Sequence, residues 1–232
     1  MLKPHLKQCW CIPPGQDAAF VACMEDVLDL YCAPYDPRRP VVCMDETSKQ
    51  LVGETRVPVP PAPDRPARYD YEYERRGTAN VFLFTEPLGG WRQANVTERR
   101  TRVDWAYQMR HLLDEEYPEA DLVRVVLDNL NTHSIASLYE AFEPAEARRL
   151  ARRLELHPTP KHGSWLNVAE LELGVLGRQC LDRRMGEAAF VQQESAAWAL
   201  DRNRHQTGVD WRFTTADARI KLKHLYPQIQ MG

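Results

Sequence analysis

Two apolar runs that each end in an aspartate constrain this chain more than any other feature. Pro40-Val41-Val42-Cys43-Met44 leads into Asp45-Glu46, and Leu122-Val123-Arg124-Val125-Val126-Leu127 leads into Asp128-Asn129. Both are too short for a buried helix and rich in β-branched residues, so they predict buried strands. Strand ends of α/β sheets are where ligand sites gather. A single Asp after a strand is usually a turn former or a helix cap. Two in the same setting point to a shared site.

The rest of the chain alternates in a way that builds layers. Residues 17–32 carry Phe20, Cys23, Met24, Val27, Leu28 and Tyr31 at helical spacing. Residues 53–69 hold prolines 58, 60, 61, 63 and 66, which exclude a helix or a central strand and predict a long extended loop. Three antiparallel strands are then expected, at Tyr69–Glu74, Asn80–Phe84 and Trp91–Val96. A helix that starts at Thr101 or Asp104 and runs to about Glu116, the second Asp-ended strand, and helices over 134–141 and 145–154 follow. Next come a short strand at 156–158 and a helix that Ser164 caps, running to Leu181. Two more helices are expected near 187–204 and 215–225. This order predicts an α/β protein with an RNase H-like mixed sheet flanked by helices on both faces. The expected division is an N-terminal linker and helix over 1–36, a core over 37–185, and a C-terminal helical tail over 186–232.

A third acid completes the constellation. Leu166, Ala169, Leu173, Leu176 and Cys180 form a stripe at spacings of three and four, and Glu170 falls on it, facing inward. Glu172 lies 200° further round and is the weaker candidate. Glu46 follows Asp45 on a strand and should point to the opposite sheet face. Three convergent carboxylates suit a hard divalent ion, Mg²⁺ or Mn²⁺. Two such ions about 4 Å apart would clamp the attacking and leaving oxygens of a phosphodiester.

At this point three segments resemble a known group. Val41-Val42-Cys43-Met44-Asp45-Glu46-Thr47, the stretch from Val125 to His133, and Pro160-Lys161-His162-Gly163-Ser164-Trp165-Leu166-Asn167-Val168-Ala169-Glu170 are similar to the three catalytic motifs of bacterial insertion-sequence transposases of the mariner-like DDE class. The tail Val209 to Arg219 is similar to that group too. The resemblance implies metal-dependent cleavage and strand transfer of double-stranded DNA during transposition, with Asp45, Asp128 and Glu170 as the catalytic, metal-holding D, D and E. Lys161 and His162, in the loop before the Glu170 helix, and His133, five residues after Asp128, are the expected DNA contacts. A homodimer acting on transposon ends and target DNA is expected. Family members usually carry an N-terminal helix-turn-helix region, whereas this chain opens inside what looks like the linker after it.

Composition sets the outer limits. At 232 residues and 44% hydrophobic the chain can bury a full core. No apolar run approaches the roughly 20 residues that span a bilayer, and the first residues lack a secretory apolar stretch, so a cytoplasmic protein with no membrane partner is expected. The six cysteines, at 9, 11, 23, 32, 43 and 180, show no CxxC pair and read as reduced structural thiols. Net charge is −3, which argues against tight non-specific DNA binding. It still permits a basic face, for residues 202–224 carry six Lys and Arg against two Asp and Glu. Two rivals remain. A phosphohydrolase with Asp45 as nucleophile would want an acid where Thr47 stands. A truncated transposase fragment would fold or dimerise without acting on DNA.

Overall fold

The computed structural model describes residues 12, 13, 15–205 and 208–228. The Cys9-x-Cys11 pair and most of the expected linker lie outside the described residues. The other four cysteines are free thiols.

Among the described residues, five strands form one sheet: β1 (Val41–Glu54), β2 (Tyr73–Glu86), β3 (Trp91–Thr97), β4 (Val123–Leu127) and β5 (Leu154–Pro158), in the order β3-β2-β1-β4-β5. The first three strands pair antiparallel, and β4 and β5 join parallel to β1. The sheet is mixed, as the element order predicts.

Alternation along the strands feeds two opposite cores. Val42, Met44, Phe82, Phe84, Val125 and Leu127 face one side. There they meet Trp105 and Met109 of α2 (Arg102–His111), Leu138 of α3 (Ile135–Ala141) and Leu150 of α4 (Pro144–Ala151). Val41, Cys43 and Val126 face the other side, against Met24, Val27 and Leu28 of α1 (Ala18–Cys32) and Val168 and Ala169 of α5 (Val168–Leu176). Val81 and Leu83 continue that second face under Leu176 and α6 (Ala188–Arg204). The last helix, α7 (Thr215–Lys221), packs Ala218 beside α1. Each fully buried large side chain contributes about 1.5–3 kcal/mol. None of the described helices is long and apolar enough to cross a membrane.

The structure corrects several element boundaries. β1 does not stop near Glu46 but runs on to Glu54. Its polar second half, Thr47 to Gln50, is held by backbone pairing to β2, with Lys49 opposite Ala79. Two strands, rather than three, follow the proline-rich loop. The expected strands at 69–74 and 80–84 are largely one, β2, whose exposed first half is polar and includes Gly77 at a φ of +92°. Of the two expected starts of the next helix, Thr101 is the one observed, capping α2 in a reciprocal box with Asp104. That helix then widens into a π turn over Leu112–Glu116, which buries both leucines. The helix expected from Ser164 begins three residues later. A 3₁₀ turn over Ser164–Leu166 comes first, and Asn167 is the cap, accepting from the Ala169 N–H at 3.1 Å.

Candidate active site

Strand register brings the two aspartates together. Cys43 is the parallel partner of Val126, so Asp45 and Asp128, each two residues on, leave the same end of adjacent strands. Asn167 ties α5 over this end by donating to the Met44 carbonyl at 3.0 Å while capping its own helix. The result is an open cleft of about 540 Å³ that Asp45, Asp128 and Glu170 all line, with Glu46, Thr159 and Ser164.

The expected inward position of Glu170 is wrong. Glu170 is exposed on α5, while Val168, Ala169, Glu172 and Leu176 are the buried residues. The stripe was phased from Leu166, which belongs to the preceding 3₁₀ turn and not to the helix. Glu170 nevertheless overhangs the cleft, so its exposure is to the cleft mouth. Glu172, the weaker candidate, is a buried structural acid. It takes Arg92 Nε and Nη2 at 2.9 and 3.0 Å and Arg202 Nη2 at 3.0 Å. Those guanidinium groups hold its pKa below the usual glutamate value even though burial pushes the other way.

Electrostatics in the cleft are unbalanced toward negative charge. Burial raises the Asp45 pKa to about 7, and the nearby Asp128, Glu46 and Glu170 charges add to the rise. A hydrogen bond from the Glu46 N–H to Asp45 Oδ1, at 2.8 Å, opposes it.

Glu46 points to the other sheet face, as alternation requires, and there meets His133. The ring Nε2 lies 3.2 Å from Glu46 Oε2, and Nδ1 lies 2.6 Å from Asp128 Oδ1. These are close ion pairs but neither is aligned as a hydrogen bond, so Glu46 Oε2, Asp128 Oδ1 and His133 Nδ1 are buried polar atoms lacking one. Burial pulls the His133 pKa down, but the two carboxylates more than offset this and lift it to about 9. The side chain is 1% exposed and stacks on Trp105. The expected contact of His133 with DNA is therefore corrected: both ring nitrogens face carboxylates, and no edge reaches solvent. Alternation placed Glu46 on the right face, yet nothing in the spacing paired it with His133.

Lys161 and His162 are both exposed. They sit on a short loop whose two ends, Thr159 and Ser164, line the cleft. His162 holds a φ of +66°, a left-handed conformation that helps reverse the chain before α5. Arg149, at the end of α4, and Arg153, just beyond it, are both tied to Asp114, so they belong to the scaffold.

The chemistry of the donor set fits a hard divalent cation. It offers the carboxylate oxygens of Asp45, Asp128 and Glu170 at the mouth of one cleft, close enough for the neighbouring charges to raise the Asp45 pKa. Glu46, Asp128 and His133 bring ligand atoms within 4.8 Å of one another.

Comparison with known proteins agrees in fold and family. No curated protein matches the chain. The catalytic domain of Mos1 mariner transposase has a TM-score of 0.52 to it at 14% identity, covering 82% of this chain and 85% of that one. The Mos1 mariner paired end complex with Mn gives 0.53 at 16% identity, covering 84% of this chain and 59% of that one. The Mos1 paired-end complex with left transposon end gives 0.54 at 16%, covering 86% and 60%. The chain thus spans about three-fifths of the length of those two. At such identities the likeness establishes the fold, which is RNase H-like. The model of the DDE superfamily endonuclease family matches residues 40–189, from the first residue of the β1 run to the start of α6. The chain belongs to the DDE superfamily endonucleases.

Proposed function

We propose that this protein is the catalytic domain of a DDE transposase that cleaves and transfers DNA strands with the help of Mg²⁺ or Mn²⁺. The observation that carries the reading is the shared cleft of Asp45, Asp128 and Glu170, in which burial and the neighbouring carboxylates raise the Asp45 pKa to about 7. Asp45 and Asp128 would hold the ions, two by the logic of in-line phosphodiester displacement, and Glu170 would close the set from α5. The ions supply Lewis-acid stabilisation of the phosphate and lower the pKa of bound water. The chain's own contribution is placement. Parallel register fixes the two aspartates side by side, and Asn167 fixes the helix that carries Glu170.

The partner in this reading is double-stranded DNA, as in the Mos1 complexes with transposon-end DNA. Lys161 and His162, exposed on the loop whose ends line the cleft, would contact the phosphate backbone. A homodimer joining two transposon ends, in the insertion-sequence setting that the motifs resemble, completes the reading. The test is nicking of supercoiled plasmid by the purified chain. Cleavage should require Mg²⁺ or Mn²⁺ and disappear in Asp45→Ala and in Asp128→Asn. Cleavage that survives chelation, or survives both substitutions, contradicts it. A wild-type chain that folds, binds the metal and cuts nothing would favour the idle-fragment reading instead.

A further inference from the structure

We propose that His133 is a positioning residue that clamps Asp128 in its working orientation, with Glu46 as the anchor behind it. The proposal rests on the divalent-metal reading above.

The geometry is that of a bridge. One imidazole ring lies between two carboxylates, 2.6 Å from Asp128 Oδ1 through Nδ1 and 3.2 Å from Glu46 Oε2 through Nε2. Glu46 is itself held by β1, its side chain 3% exposed. Trp105 of α2 packs against the ring, with 5.9 Å between centroids and 29° between planes. The backbone adds a third restraint, because the His133 N–H donates to the Leu130 carbonyl at 3.0 Å. Asp128 is different in kind. It lies beyond the last residue of β4, and its side chain is 40% exposed. Its Oδ1 is buried against the ring, so the open part of the carboxylate is the Oδ2 side, toward the cleft.

Two rival roles fit the same residue less well. A phosphate contact needs an exposed edge, which a side chain 1% exposed lacks. Direct metal ligation needs a ring nitrogen about 2.1 Å from the ion. Here each nitrogen already has a carboxylate oxygen against it, so an inserted ion would have to push ring and carboxylate apart. A histidine that orients a metal-holding carboxylate acts through it, and losing such a partner weakens metal affinity about 10–100-fold.

The experiment is a Mn²⁺ titration of the full chain without DNA, following the free-ion EPR signal. Four variants are compared with wild type: His133→Phe, His133→Asn, Trp105→Phe and Asp128→Asn. His133→Phe keeps a ring on Trp105 but removes both nitrogens, and should weaken Mn²⁺ binding about 10–100-fold. His133→Asn retains an N–H for Asp128 and should recover much of that loss. Trp105→Phe touches no carboxylate and should lower the melting temperature while leaving affinity within about twofold. That separation distinguishes positioning from general stability. Binding by folded His133→Phe within about twofold of wild type overturns the proposal. So does an Mn²⁺ loss in Trp105→Phe as large as in His133→Phe. If His133→Phe does not fold, His133→Leu, which also removes both nitrogens, takes its place in the same comparison and the same outcomes decide. If wild type binds no Mn²⁺, or Asp128→Asn leaves binding untouched, the metal reading itself fails and takes this proposal with it.

Discussion

At the scale of single residues, Asp45 carries the tension between stability and function. Its pKa of about 7 lies above the ordinary carboxylate value of 3.8, so the folded state keeps a proton that the unfolded chain releases from about pH 4 upward. Stability contributed by Asp45 is therefore present at low pH and lost as pH rises toward 7. His133, lifted from 6.5 to about 9, behaves likewise, and its contribution is lost between those values. The metal-free protein should melt at a lower temperature at pH 9 than at pH 5, as a calorimetric pH series would record, and Mg²⁺ should reverse much of the fall. Asp45→Asn keeps an acceptor for the Glu46 N–H and removes the penalty of ionising a buried acid. It should raise metal-free stability at pH 8 by about 1–2 kcal/mol in urea unfolding while abolishing nicking. Asp45 and Asp128 were legible in the sequence because a strand end after an apolar run is a local pattern. The contact of Glu46 with His133 was not, because it depends on how the turn after β4 folds back over β1.

At the scale of elements, α5 shows where periodicity misleads. The apolar spacing from Leu166 to Cys180 reads as one helix. The chain instead makes a 3₁₀ turn, a helix of nine residues and a π turn over Gly177–Leu181, each advancing by a different angle. Glu170 and Glu172 exchange their expected positions as a result. The exchange has a structural consequence, for Glu172 becomes the hub that joins α5 to Arg92 on β3 and Arg202 on α6. Glu172→Ala strips the carboxylate from a buried guanidinium and should cost about 3–5 kcal/mol in denaturant unfolding. Asn167→Ala loses both the cap and the tie to Met44. It should cost about 1–2 kcal/mol and depress nicking further than that loss of stability accounts for, since α5 carries Glu170. The opposite pattern, normal nicking in a destabilised Asn167→Ala, would detach the tie from the site.

At the scale of the whole molecule, the sheet and its two helical layers follow from strand alternation, and the sequence pattern predicted that arrangement. The length of β1 and β2 did not show, because their outer halves are largely polar and held by backbone pairing and by scattered contacts such as Lys49 with the Leu181 and Arg183 carbonyls. The proline-rich connection between them is exposed, and its internal bridges are local ones, Val59 with Arg68 and Ala62 with Arg65. Replacing residues 57–68 with a short Gly-Ser turn should therefore shift the melting temperature by only a few degrees, about 1 kcal/mol or less. A large drop would show that the loop supports the core. The cleft itself depends on the whole sheet, since three acids far apart in sequence meet where β1, β4 and α5 converge. Anomalous diffraction from crystals grown with Mn²⁺ tests that convergence most directly. A peak coordinated by Asp45 and Asp128 beneath Glu170 is the predicted result. Ordered Mn²⁺ only at other surface acids, with ordinary solvent between the two aspartates, would contradict it.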